Sequence, residues 1–285
     1  MRIALAADGG LLLGHGPDHD AWVRPGSIGV AATSPADLLP LLAGLVGPDG
    51  AVANATPDVI GPRLTAPVQR PGKILAVGLN YLGHIAEVGK PRPELPMIFA
   101  KYSSAVTGPT DPIELDPTVT AELDYETELA VVIGRPARRV DEDRALEHVL
   151  GYCVADDVSA RDLQRSETQV SRSKGQDTFC PLGPWITTAD AVGDPHNLRI
   201  RTTVNGATRQ DSTTSDLLFG VAFLVAHLSR TMTLETGDVI LTGTPSGVGS
   251  GMRPPTYLSE GDVVHSEIEG LGSLENTVAV PAVAR

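Results

Sequence analysis

The sequence predicts a mainly β protein with some α, built as a small N-terminal α+β domain over residues 1–70 and a larger catalytic-sized domain over 71–285. Three observations lead there. Short apolar runs punctuated by Gly, Pro and Asn recur along the chain, without the alternating long helices of a βαβ succession. Leu129–Ile133 is an unbroken apolar run, the pattern of a strand buried on both faces. Pro62, Pro67 and Pro71 mark an extended passage from one texture to the next.

Taken in order, Ile3–Ala7, the turn Asp8-Gly9-Gly10 and Leu11–Leu13 read as a hairpin. Ser34–Leu45 reads as a helix, with Ser34 as N-cap, Pro35 at the first helical position and leucines at 38, 41, 42 and 45. Lys73–Leu79 and Met97–Lys101 read as strands around a polar segment and a proline-rich loop. Leu123–Gly134 reads as one strand, Asp141–Leu150 as a short helix capped by Asp141, and Gly151–Ala155 as a buried strand that ends at Asp156-Asp157. A helical turn is expected over Ser159–Arg165. Leu198–Val204, Asn205-Gly206 and the strand from Ala207 make the clearest hairpin. Thr214–Ser229 reads as the longest helix, apolar enough to lie in the core. Strands are expected again over Asp238–Thr242, Asp262–Glu269 and Thr277–Val280.

Composition narrows the partners. With 22 Lys and Arg against 35 Asp and Glu, the formal net charge of −13 argues against nucleic acid or an anionic membrane. Aromatics are only 4%, too few for base-stacking platforms. Cys153 and Cys180 sit in apolar contexts, which fits a reducing, cytoplasmic setting rather than a disulfide framework. The first residues read as a strand and turn, not a secretory signal, and no run is long enough to cross a bilayer.

The chemistry gathers around Leu123–Gly134. On an extended backbone Glu126 and Glu128 point the same way, roughly 6.5–7 Å apart. Two carboxylates at the edge of a core must be protonated, paired with bases, or hold a cation. No Lys or Arg lies within the stretch, so a hard divalent cation such as Mg²⁺ competes with a plain solvated acidic face as the explanation. Asp157, at the exit of another buried strand, offers a third oxygen ligand. Asp156 and Asp157 alternate in direction, so only one of them joins the pair. His84 and Glu87 are three apart, which on a helical turn sets a carboxylate beside an imidazole, a general-base arrangement. Lys174, in a Gly- and Pro-punctuated stretch that reads as loop, suits the neutralisation of an oxyanion. Gly243–Gly249 supplies backbone N–H groups and the Thr244 hydroxyl for a carboxylate, but lacks the Gly-Lys-Ser/Thr of a P-loop. His15 and His19 with Asp18 and Asp20 are set aside as a surface loop.

Five segments occur together in this order: Val-Gly-Leu-Asn-Tyr-x-x-His-x-x-Glu, Asp-Tyr-Glu-x-Glu-Leu-Ala-Val-Val-Ile-Gly, Asp-Asp-Val-Ser-Ala-Arg-Asp-Leu-Gln, Lys-Gly-x-Asp-Thr-Phe-Cys-Pro-Leu-Gly-Pro-Trp and Leu-Thr-Gly-Thr-Pro-Ser-Gly-Val-Gly. From Lys73 to Val280 the chain closely resembles the fumarylacetoacetate hydrolase family, in its bacterial branch with a small N-terminal domain. The resemblance implies a mixed β-sandwich roll, a homodimer and a cytoplasmic enzyme. It implies metal ligands at Glu126, Glu128 and Asp157, a dyad at His84 and Glu87, and an active-site lysine at Lys174. Arg161, Gln164 and Thr244 fall where the family contacts the substrate's carboxylate or oxo end. Tyr81 and Lys101 join them as expected substrate contacts, and Tyr81–Pro96 looks like a lid. Tyr102 departs from the commoner Lys-Pro-Ser pattern at Lys101-Tyr102-Ser103.

The expected activity is therefore hydrolysis of a carbon–carbon bond in a 1,3-diketone acid, an acylpyruvate or fumarylpyruvate, as in the catabolism of aromatic compounds. The metal would be Mg²⁺ or Mn²⁺, with Ca²⁺ as a further option. The alternatives are oxaloacetate decarboxylation and tautomerisation or isomerisation of a 2-oxo acid on the same site. A non-catalytic metal-stabilised binding protein is disfavoured by the joint presence of His84, Glu87 and Lys174.

Overall fold

The computed structural model describes residues 1–15, 19–32, 52 and 55–281. Its centre is a ten-stranded sheet of β1 (Arg2–Ala6), β2 (Leu11–Gly14), β5 (Leu64–Thr65), β6 (Ile74–Gly78), β7 (Met97–Lys101), β8 (Val106–Thr107), β11 (Thr127–Ile133), β12 (Val149–Asp156), β14 (Cys180–Thr188) and β17 (Val239–Leu241). The order is β2-β1-β14-β12-β11-β17-β6-β7, with β5 on β1 and β8 on β14. A five-stranded sheet holds β16 (Ala207–Thr213), β15 (Arg199–Val204), β18 (Val263–Ile268), β19 (Gly272–Ala279) and β9 (Ile113–Glu114) in that order. Two small ladders complete the strands: β3 (Ala21–Trp22) with β4 (Val59–Ile60), and β10 (Leu123–Asp124) with β13 (Ser159–Ala160). The helices are α1 (Leu82–Glu87), α2 (Arg161–Ser166), α3 (Ser171–Lys174), α4 (Ala189–Val192) and α5 (Val221–Ser229).

The apolar run of β11 behaves as expected of a strand covered on both faces. Leu129, Val131 and Ile133 enter one core cluster with Leu224 and Val225 of α5 and Ile200 of β15. Ala130 and Val132 point the other way, into a cluster with Ile3, Leu13, Cys153 and Cys180. The period of two thus sorts one strand between two cores. The residues expected as a separate N-terminal unit reach the second core directly, because β1 pairs antiparallel with β14. Cys153 and Cys180 are both free and buried. Among the described residues no helix is long and apolar enough to cross a membrane.

Several local expectations are corrected. Leu123–Gly134 is not one strand: β10 pairs with β13, the strand is interrupted at Tyr125 and Glu126, and β11 begins at Thr127. The Asp141–Leu150 helix is a 3₁₀ segment over Glu142–His148, and Asp141 makes no capping bond. The Thr214–Ser229 helix begins only at Val221, because the preceding backbone is recruited elsewhere. Leu218 N–H donates to the Asn80 carbonyl, Phe219 N–H to the Asn80 side chain and Val221 N–H to His196. Lys174 ends a short helix, and Cys180–Trp185, read as loop for its Gly and prolines, lies in the nine-residue strand β14. The Ser34–Leu45 helix and Asp18 lie outside the described residues.

Candidate active site

The interruption at Tyr125–Glu126 opens the site. It lets β10 leave the main sheet while Glu126 and Glu128 meet Asp157 at the end of β12, where Asp157 N–H donates to the Glu126 carbonyl. One carboxylate oxygen from each of Glu126, Glu128 and Asp157 falls within a 4.8 Å group, and all three residues are buried. Asp156 points away, accepting the Glu126 backbone N–H at 2.7 Å. Burial pushes its carboxyl up to about 7 against that hydrogen bond and the nearby Lys101.

The three carboxylates are not equally compensated. Lys174 Nζ donates to Glu126 Oε2 at 2.7 Å and to Asp157 Oδ2 at 2.6 Å. Lys101 Nζ donates to Asp157 Oδ1 at 2.5 Å. Arg161 Nη2 lies 2.6 Å from Glu126 Oε1 without directed hydrogen-bond geometry, so that contact is an ion pair. Burial alone would raise Glu126, but Lys174, then Arg161 and His84, outweigh it and hold the carboxyl below its ordinary range. Burial would likewise lower Lys174, and Asp157 and Glu126 reverse that. Glu128 has no cation of its own; its Oε2 accepts only the Gly243 backbone N–H, at 2.6 Å. Burial, then Asp157 and Glu126, drive its carboxyl well above the carboxylate range. Around this point Asp124, Glu126, Glu128, Asp156 and Asp157 are buried against Lys101, Arg161 and Lys174. Fully ionised, these five acids would outnumber the three bases by two; without a metal the raised carboxyls of Glu128 and Asp156 relieve that excess, and an oxygen-liganded divalent cation beside Glu128 fits the donor set.

The opposite wall is built from α1 and the turn after β17. His84 Nδ1 lies 3.0 Å from Glu87 Oε2, the dyad expected from the spacing. Glu87 Oε1 accepts the Gly247 N–H at 2.8 Å, which ties α1 to the turn. Gly83 N–H donates to Asp216 at 2.8 Å. Gly243 has a φ of +101°, and a Cβ there would sit 2.8 Å from Asn80 Cβ; only glycine lets its N–H reach Glu128. Asn80, wholly buried, donates to the carbonyls of Thr242 and Phe219 and so fixes the turn's first residues. Leu79, at φ 54°, holds a backbone shape uncommon for a branched residue and lines the cavity.

The cavity between the walls, together with its open mouth, spans about 430 Å³. Its floor is Glu126, Glu128 and Asp157; Arg161, Gln164, Lys174, His84 and Thr244 surround it; Val77, Met97, Phe99 and Val170 make the apolar side. Tyr81 and Lys101 do not line it. Tyr81 is buried with its hydroxyl unpartnered, and Lys101 reaches Asp157 from behind. Arg161 is held by Asp124 at 2.8 Å and reaches Gln164 at 3.0 Å. The Thr244 hydroxyl, expected to meet a carboxylate, donates instead to the Thr127 carbonyl at 3.0 Å. Sequence reasoning passed over Asp124, which accepts from Arg161, Gly249 N–H and Ser250 N–H. Its place on the acidic face was the available signal. Asn80 and Asp216 carried no comparable one.

Comparisons with known proteins agree with this geometry. Residues 73–279 match the family described as Fumarylacetoacetate (FAA) hydrolase C-terminal. An oxaloacetate tautomerase of Xenopus laevis mitochondria is 48% identical over 217 residues, 75% of this chain and 68% of that protein. An oxaloacetate tautomerase of Bacillus subtilis is 43% identical over 219 residues, 76% of this chain and 73% of that protein. The crystal structure of maleylpyruvate hydrolase from Sphingobium, with manganese and pyruvate bound, superposes with a TM-score of 0.81 at 32% identity, covering 99% of this chain and 100% of that one. With the five motifs, the acidic floor and this match over most of its length, the chain belongs to the fumarylacetoacetate hydrolase family.

Proposed function

We propose that the protein is a divalent-metal-dependent enzyme that interconverts the enol and keto forms of a small 2-oxo dicarboxylate, with oxaloacetate as the substrate. The observation that carries this reading is Glu128, buried in the acidic floor with a backbone N–H and no cation as its partner, facing a histidine–carboxylate dyad across the cavity. The tautomerase relatives share more identity with this chain than the hydrolase of solved structure does.

Glu126, Glu128 and Asp157 would hold the metal, Mg²⁺ or Mn²⁺, which when bound supplies Lewis-acid stabilisation of an enolate oxygen. The chain's own groups do the rest. Glu87 fixes Nδ1 of His84, leaving Nε2 as the ring nitrogen for the substrate. His84 takes the proton from the enol hydroxyl and returns a proton to the adjacent carbon, so no atom is gained or lost. Lys174 and Arg161 bring positive charge to the oxygen side, where negative charge develops. The apolar side excludes water from the reacting carbon.

The second reading, hydrolysis of an acylpyruvate, is favoured by the same His84–Glu87 dyad acting on a water molecule. It asks the cavity to admit a distal acyl group. Side-by-side assays decide: enol-to-keto conversion of oxaloacetate with Mn²⁺ against pyruvate release from acetylpyruvate, each repeated with EDTA. Tautomerisation at least tenfold above the metal-free rate with negligible acetylpyruvate cleavage is expected. The reverse ranking would sink the tautomerase reading, and EDTA-resistant turnover would sink the metal.

A further inference from the structure

Behind the cavity, one side chain touches both the acidic strand and the glycine turn. Gln210 on β16 is wholly buried. Its Oε1 accepts from the Thr127 backbone N–H at 3.1 Å and from the Thr202 hydroxyl at 2.6 Å. Its Nε2 donates to the Thr244 hydroxyl and to the Pro245 carbonyl, both at 2.8 Å. A primary amide offers two donor hydrogens and two acceptor sites, and all four are used.

Its position explains why such a side chain is needed. β17 pairs with β11 only across Ala130 to Val132, and Thr242 N–H still reaches the Leu129 carbonyl. At Gly243 the backbone turns off to form the site's glycine turn, so the ladder ends short of Thr127. An unpaired N–H buried there would forfeit its hydration with no partner in return. Gln210 meets that N–H from the other sheet, and the Thr244 hydroxyl meets the Thr127 carbonyl. Thr127 lies between Glu126 and Glu128, so holding its peptide sets the spacing of those two carboxylates.

We propose that Gln210 is a positioning residue, which splices the broken ladder at Thr127 and thereby holds Glu126, Glu128 and Thr244 in the geometry that binds metal and substrate. A consequence is that Thr244 offers no hydroxyl hydrogen to a ligand: it donates to Thr127, accepts from Gln210, and faces the cavity as an acceptor. The proposal rests on the metal reading given above.

The test is a calorimetric Mn²⁺ titration, with thermal unfolding recorded with and without metal, on wild type, Glu126→Gln, Ser266→Ala and Gln210→Met. Gln210→Met keeps the length and loses all four bonds. A weakening of Mn²⁺ binding of about tenfold or more is expected, the range for residues that orient metal ligands. Ser266, which touches only the Thr127 hydroxyl of this network, is the structural control, and Ser266→Ala should lower Tm with Mn²⁺ affinity intact. Wild-type Mn²⁺ affinity in Gln210→Met, whatever its Tm, overturns the proposal. If Gln210→Met does not fold, Thr202→Val releases one bond to Oε1 and should weaken Mn²⁺ by a smaller measurable factor; unchanged binding there overturns it equally. Equal binding by wild type and Glu126→Gln is a different result, and overturns the metal reading itself.

Discussion

On the strand side of the cavity, Glu126 and Asp157 are held by the buried cations Lys174, Lys101 and Arg161. On the turn side, Glu128 and Glu87 are held by the main-chain N–H groups of Gly243 and Gly247. The first wall balances charge with charge and needs nothing added to be stable. The second places acids by the course of a glycine-rich backbone and leaves one of them short of a cation. A metal therefore has different work to do on the two sides: it competes with Lys174 and Arg161 for Glu126, and it relieves Glu128.

The largest expected effects probe that asymmetry directly. Glu126→Gln removes one of two carboxylate partners from each of Lys174 and Arg161 and should cost about 1–3 kcal/mol in metal-free stability, along with metal binding. Glu128→Gln should also abolish metal binding but raise the metal-free Tm as pH rises, because the neutral amide never takes on the buried charge, without a cation, that Glu128 acquires on ionising. Denaturant and thermal unfolding of both variants check this; equal destabilisation would erase the distinction between the walls. The sign of the pH dependence follows. Glu128 has a higher pKa folded than unfolded, so it contributes stability at low pH that is lost as pH rises through the raised value. The Tm gap between metal-free Glu128→Gln and wild type should widen with pH, and a gap that narrows would contradict the uncompensated acid.

Next in size, His84→Ala should keep wild-type Mn²⁺ affinity while activity falls by about 10²–10⁴-fold. A parallel loss of metal would move His84 from the chemistry to the charge balance. Gly243→Ala, forced into positive φ against Asn80, should cost roughly 1–3 kcal/mol and weaken metal binding through Glu128 alone. The smallest expected effect is Asp216→Ala, which frees the Gly83 N–H and loosens α1. It should raise KM a fewfold with Mn²⁺ affinity unchanged, as steady-state kinetics beside a metal titration would show.

The strand wall was largely legible in the sequence. Its acids stand on or beside long apolar runs, where period-two reasoning works, and the spacing of His84 and Glu87 announced the dyad. The interruption that separates β10 from β11 was not legible, because Tyr125 and Glu126 continue the alternation that one continuous strand would show. β14 was hidden for the opposite reason: Gly183, Pro181 and Pro184 imitate a loop, and it is pairing with β12 and β8 that holds this stretch extended. The start of α5 depends on Asn80, 141 residues away along the chain from Val221, and no local pattern encodes such a partner. Gln210 escaped for the same cause. It looks like any polar residue of an exposed hairpin until the second sheet packs behind the first.

Cys153 and Cys180 are buried on neighbouring strands of the central sheet, and burial raises both thiols, Cys180 to about 12. Neither is a reagent in the closed protein, yet both become labelling targets once β12 or β14 separates. The molecule thus contains its own clock for opening of the central sheet. The rate at which a thiol-specific dye modifies it reports how often the sheet opens, and slowing of that rate by Mn²⁺ would measure how firmly an ion at one end of β12 closes the strand along its length.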